Sequence, residues 1–123
     1  MNVLWVFVGG GLGALSRYLL SLGAARLWGA GFPFGTLLAN LLGLSLIGLF
    51  FGLAERHGFL GGSLRLFLVT GFLGGLTTFS SFGWETVKLA GDGLFSLALV
   101  NILLNNLLGL GLVLAGMWLG RSI

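Results

Sequence analysis

GFLGGLTTFSSF, running from Gly71 to Phe82, is the stretch on which the reading of this chain turns. Hydropathy places it inside the third of four apolar stretches, yet a helix that only crosses lipid is not built this way. Gly71, Gly74 and Gly75 each lower helix propensity by about 1 kcal/mol relative to alanine. Thr77, Thr78, Ser80 and Ser81 put hydroxyls at bilayer depth. Backbone that leaves the helix at that depth is tolerated only where protein or a cavity surrounds it. The segment therefore predicts a break in helix 3 and the working centre of a transport protein.

Working outward, the whole chain has a membrane composition. Of 123 residues, 57% are hydrophobic and 7% charged, against about 25% charged in a soluble domain. Mean hydropathy is +1.10. Four apolar stretches, roughly 3–27, 34–54, 64–90 and 94–119, each approach or exceed the ~20 residues that cross the hydrocarbon. They leave almost nothing for a soluble domain, so 1–123 reads as a single four-helix transmembrane domain, an all-α membrane protein. The first apolar run is longer than the hydrophobic region of a signal peptide and no Lys or Arg precedes it, so it is expected to be retained. The absence of cysteine excludes disulfides, thiolate metal sites and cysteine nucleophiles.

The formal charge of +3 comes from scattered basic residues that form no patch or stripe for nucleic acid. With four spans, Arg56, Arg65 and Arg121 fall on the side of the termini and Arg26 and Lys88 on the other. Orientation follows Lys/Arg asymmetry, and here there is almost none. Such a chain can insert both ways up and pair antiparallel with itself, or a single charge can decide. The count supports either.

Short turn-like connections separate the spans: Gly29, Gly31 and Pro33, then Glu55 to Gly62, then Gly91, Asp92 and Gly93. Gly9 and Gly13, Gly48 and Gly52, Gly71 and Gly75, and Gly116 and Gly120 keep the small-xxx-small spacing that lets helices approach closely. Their number favours tight packing, a second subunit included. Gly9, Gly11 and Ala14 match G-x-G-x-x-A, but the dinucleotide fingerprint needs a preceding strand and a βαβ unit, and this one sits in a membrane helix.

The remaining polar residues outline a lining. Arg17 lies about fifteen residues into span one, roughly 22 Å along a helix. It either snorkels to the interface beside Tyr18 or holds a fixed positive charge at the mouth of an anion pathway. Arg26 reads as an interfacial anchor. Span two opens with FPFGT and carries Asn40, either interhelical glue or a ligand. In span four, Asn101 and Asn105 are four apart and share a helix face, whereas Asn106 points elsewhere. His57, expected in the loop after Glu55 and Arg56, has no partners for a metal. Donors on several helices without a buried acid suit a small anion, whose Born cost in low dielectric is on the order of 20 kcal/mol. The start of the second half of helix three adds a positive dipole end. Phe79 and Phe82, three apart, can turn electropositive ring edges to an anion, although ordinary packing also accounts for two phenylalanines.

Taken in order, GGGLGALSRY (Gly9 to Tyr18), FPFGTLLANLLG (Phe32 to Gly43), GFLGGLTTFSSF with Glu85 following, and an asparagine-bearing fourth span resemble the Fluc/CrcB family of fluoride channels along the whole chain. The resemblance implies a fluoride-selective channel in the inner (plasma) membrane that exports F⁻ passively and limits its toxicity. It implies an antiparallel, dual-topology homodimer with two pores, and a structural Na⁺ at the dimer centre held by the backbone carbonyls of Gly74 and Thr77. Matched by motif, Phe79, Phe82 and Asn40 fall on the pore, Ser80 and Ser81 on its hydroxyl track, and Arg17 and Glu85 on its vestibule. The family's common TTFST reads TTFSS here, and Asn101 and Asn105 find no secure match. Two other classes compete. A small dual-topology multidrug-type exporter also has four spans and little charge bias, but needs a membrane-embedded carboxylate; Asp92 sits in a turn and Glu85 near a span end. A non-transporting membrane scaffold explains the glycines but not the hydroxyl-rich break. An intramembrane enzyme needs a nucleophile with a base or a metal cluster, and the sequence offers neither.

Overall fold

The computed structural model describes residues 1–123, which are helical almost throughout. Four helices are long and apolar enough to cross a membrane: Asn2–Trp28, Phe34–His57, Gly62–Gly91 and Phe95–Ser122, here spans one to four. Span two runs three residues past its expected end, so Glu55, Arg56 and His57 are helical rather than in a loop. The stop is Gly58, whose left-handed backbone (φ 67°, ψ 18°) lets its N–H reach the Ala54 carbonyl at 2.8 Å. In that last turn, Arg121 Nε donates to Glu55 Oε2 at 2.6 Å and Arg56 Nη1 to the Arg121 carbonyl at 2.6 Å, tying span two to span four.

The bundle is held by two glycine seams. Gly9 and Gly13 of span one lie against Gly71 and Gly75 of span three; Gly48 and Gly52 of span two lie against Gly116 and Gly120 of span four. The approach leaves no room for a side chain. A methyl group on Gly13 would sit 2.8 Å from the Leu76 amide nitrogen and still closer to the Phe72 carbonyl oxygen. One on Gly120 would sit 2.7 Å from the Leu53 nitrogen, and one on Gly52 would meet the Met117 carbonyl. Where helices share the same apolar surroundings, backbone-to-backbone contact of this kind is the main source of attraction. The four glycine pairs named from the sequence are thus engaged within one chain.

Little else is buried. Ala39, Leu73 and Leu76 form a small core with Leu20, Leu46, Ile47, Phe50 and Phe72 against it. Large apolar side chains such as Val3, Phe7, Leu27 and Trp118 point outward, as suits a bundle whose solvent is hydrocarbon.

Two spans depart from α geometry. Leu66–Leu73 in span three and Leu104–Leu108 in span four are π-helical, a rare form concentrated near functional sites. Further along span three, a short helical turn, Gly74–Leu76, ends at two residues with extended backbone, Thr77 (φ −82°, ψ 154°) and Thr78 (φ −152°, ψ 116°). Helix resumes over Phe79–Gly91.

Candidate functional site

Extended backbone inside an apolar span leaves polar groups that something must satisfy. For Thr78 that partner is Asn40 of span two. The Thr78 N–H donates to Asn40 Oδ1 at 2.8 Å, and Asn40 Nδ2 donates back to the Thr78 carbonyl at 3.2 Å. One side-chain amide thereby replaces the neighbouring backbone. The Thr78 hydroxyl caps the following helix by accepting from the Ser81 N–H at 3.2 Å, and lies 3.2 Å from both Ser80 Oγ and Ser81 Oγ.

The clasp continues into span four. Asn40 Nδ2 donates to Asn105 Oδ1 at 2.8 Å. Asn105 Nδ2 donates to the carbonyl and to Oδ1 of Asn101, both at 3.0 Å. Asn101 Nδ2 donates to Thr86 Oγ1 at 2.9 Å, and the Thr86 hydroxyl to the Phe82 carbonyl at 2.7 Å. This chain of bonds leaves span three at Thr78 and returns to it at Phe82. Asn40, Asn101 and Asn105 are all buried, and each donates to another polar group, as buried amides must.

Beside this ladder lies a cavity of about 410 Å³ whose lining includes Asn40, Gly74, Thr77, Thr78, Phe79 and Phe82, together with Asn105 and Asn106. The cavity borders the N-terminal end of the Phe79–Gly91 helix, where the helix dipole is positive. The Phe79 and Phe82 rings are 5.4 Å apart and inclined by 50°. They differ in setting: Phe82 is buried, whereas Phe79 is 80% exposed on the outside of the chain.

Five of the nine site residues that the family resemblance implies, Gly74, Thr77, Phe79, Phe82 and Asn40, line that cavity. Ser80 and Ser81 are not part of its lining and are bonded to the Thr78 hydroxyl. Arg17 is tied to span three: its Nε donates to the Gly75 carbonyl at 3.1 Å, a cation on the C-terminal end of the first half of that span. Glu85 lies apart, in a second cavity of about 490 Å³ bordered by Thr36, Lys88 and Asp92. Its Oε1 accepts from the Thr36 hydroxyl at 2.7 Å and its Oε2 is buried without a partner.

Asn105 and Asn106 both border the cavity, but they differ as their spacing predicts: Asn105 is buried in the ladder, whereas Asn106 is exposed and donates to the Ile102 carbonyl of its own helix at 2.8 Å. Sequence reasoning passed over Thr36, Thr86 and Gly43. The last is a notch against the Thr77 methyl, which any side chain at Gly43 would meet. For Thr86 a signal existed, a hydroxyl one turn past Phe82; for Gly43 none did beyond the abundance of glycine.

Four membrane-length helices around a buried amide ladder and a largely apolar cavity with amides in its wall define a multi-pass helical membrane protein. Residues 4–117 match the family described as CrcB-like protein, Camphor Resistance (CrcB), and the chain belongs to that family. It is 44% identical over 118 residues to a Clostridium perfringens (strain 13 / Type A) protein named Fluoride-specific ion channel FluC, covering 96% of this chain and 92% of the other. Proteins of the same name from Geobacter sulfurreducens and Roseiflexus sp. (strain RS-1) are 45% identical over 119 residues and 42% over 123. They cover 97% and 100% of this chain and 93% and 96% of their own.

Proposed function

We propose that this protein is a fluoride-selective ion channel of the bacterial inner membrane, a conduit rather than an enzyme, that lets F⁻ leave the cell down its electrochemical gradient. The names of its relatives support the substrate. The observation that carries the mechanism is the clasp of Asn40 on the extended backbone of Thr78, which holds Phe79 and Phe82 beside an amide-lined cavity. A dehydrated anion needs donors and partial positive charge and no fixed acid nearby. Amide groups, phenyl edges and a helix N-terminus meet that need. Glu85 is outside the cavity, which speaks against a proton-coupled exporter with its carboxylate at the substrate.

In this reading Thr77 and Thr78 are the break in helix 3, and residues 1–123 act as one transmembrane domain. Two copies associate as an antiparallel, dual-topology homodimer. The exposed Phe79 ring supports an assembly in which a second copy covers it. A structural Na⁺ fits the break. The Thr78 N–H goes to Asn40, so the Gly74 carbonyl four residues earlier lacks its α-helical donor. A methyl group on Gly74 would make only an ordinary van der Waals contact, with the Val69 carbonyl oxygen at 3.9 Å. The carbonyls of Gly74 and Thr77 would hold such an ion, which supplies charge neutralisation between subunits and is not transported. Arg17 on Gly75 already gives the neighbouring carbonyl a positive partner.

Efflux from liposomes tests the reading. Purified protein in vesicles loaded with fluoride or chloride, with a potassium ionophore present, is expected to release fluoride rapidly and retain chloride. Retention of both ions by folded protein overturns it.

A further inference from the structure

Asn40 has no N–H left to choose its own orientation: one bond goes to Thr78 and the other to Asn105. Asn105 in turn is fixed by two bonds to Asn101, and Asn101 by Thr86. Every side chain in the series donates in the same direction, from Asn40 through Asn105 and Asn101 to Thr86 and the Phe82 carbonyl. Bonds aligned in this way polarise one another, and losing one loosens the rest. The series starts on the Thr78 backbone and ends on the Phe82 carbonyl, so it grips both ends of the turn that carries Phe79 and Phe82.

Resting on the channel reading above, we propose that Asn105 is the central positioning residue of the pore, acting on the permeating anion through Asn40 and through the Thr78 to Phe82 turn. Its own donors are both engaged by Asn101, so it orients a neighbour and does not serve as a ligand. Asn101 and Thr86 extend the same function from positions outside the cavity: Asn101 is fully buried, and neither lines the site.

That placement gives the test. An Asn105→Leu variant keeps the approximate shape and deletes the acceptor of Asn40. Thr86→Val is nearly isosteric and breaks the series two links further on, where no anion is in contact. Fluoride efflux is measured from liposomes reconstituted at about one channel per vesicle, so that the fraction of vesicles emptied counts folded channels and the rate reports the pore. Loss of a buried partner of this kind corresponds to a fall of about ten-fold or more in rate for Asn105→Leu and a few-fold for Thr86→Val, with the emptied fraction unchanged. Combining Asn105→Leu with Asn40→Leu is expected to be no slower than Asn40→Leu alone. A normal rate in Thr86→Val beside a slow Asn105→Leu would mean direct contact with the ion and overturn the proposal, as would normal rates in both. A reduced emptied fraction at normal rate would assign the ladder to folding alone, with the same consequence. Wild-type vesicles that release no fluoride would instead refute the channel reading itself.

Discussion

Span three is built in two ways on either side of Thr77. Up to Leu76 it is held by absence: Gly71 and Gly75 let the backbone of span one settle against it, and substitution is forbidden by contact. From Thr78 onward it is held by presence: Asn40, Asn105, Asn101 and Thr86 supply groups that the extended backbone lacks. Steric seams fix where helices lie, but they carry no directional chemistry. Hydrogen-bonded ladders orient individual groups, and they fail when one member is lost. A channel needs the first for a rigid wall and the second for a defined lining.

The sharpest break of this contrast is in the seam. Gly75→Val would drive two methyls toward the Gly10 carbonyl and the Ala14 nitrogen. It is expected to cost roughly 3 kcal/mol, read as loss of monodisperse protein on size-exclusion chromatography. Next comes Asn40→Leu, which leaves the Thr78 N–H and carbonyl without their partner. Each such buried group costs about 1–3 kcal/mol, and fluoride efflux should fall about a hundred-fold. Phe79→Ala separates function from stability. Because Phe79 is exposed within the chain, unfolding of the individual chain should shift by no more than about 0.5 kcal/mol, while cells carrying the variant lose fluoride resistance. Normal resistance at normal expression would remove Phe79 from the pore. Arg17→Lys keeps the charge and loses the Nε bond to Gly75, with an expected cost of about 1 kcal/mol, checked by thermal unfolding in detergent. Smallest is Lys88→Ala. Its 2.8 Å pair with Asp92 lies at an exposed helix end, and exposed pairs are worth little, so neither efflux rate nor melting temperature should move measurably.

Much of this plan was legible in the sequence, and unevenly so. The four spans followed from hydropathy and length, because a hydrocarbon solvent imposes nearly a single rule. The glycine pairs were visible as spacing, but which pair meets which was not; that depends on packing between helices far apart in the chain. Composition marked the Gly71 to Phe82 segment as unusual, and its polar residues and those of span two proved to be neighbours. The link from Asn105 to Asn101 is an i,i+4 relation that α-helical spacing reveals. The same spacing sets the exposed Asn106 apart from them, but the π-helical turn at Leu104–Leu108 left no compositional trace. For Arg17 the sequence left snorkelling and a charge at a pathway mouth open, and its Gly75 partner could not be foreseen before the carbonyl end of a neighbouring helix was located.

The bond from Asn40 to Asn105 joins positions 65 residues apart, and that separation has a consequence for biogenesis. Asn40 enters the bilayer early, Thr78 later, and Asn105 with the final span. Until that span arrives, the Asn40 amide lacks its far partner in a medium with no water to substitute. A nascent chain truncated after span three should therefore carry a fully formed first seam and an unsettled turn at Thr78. The lining is the last part of the molecule to become definite, and a half-made protein has its walls before it has its pore.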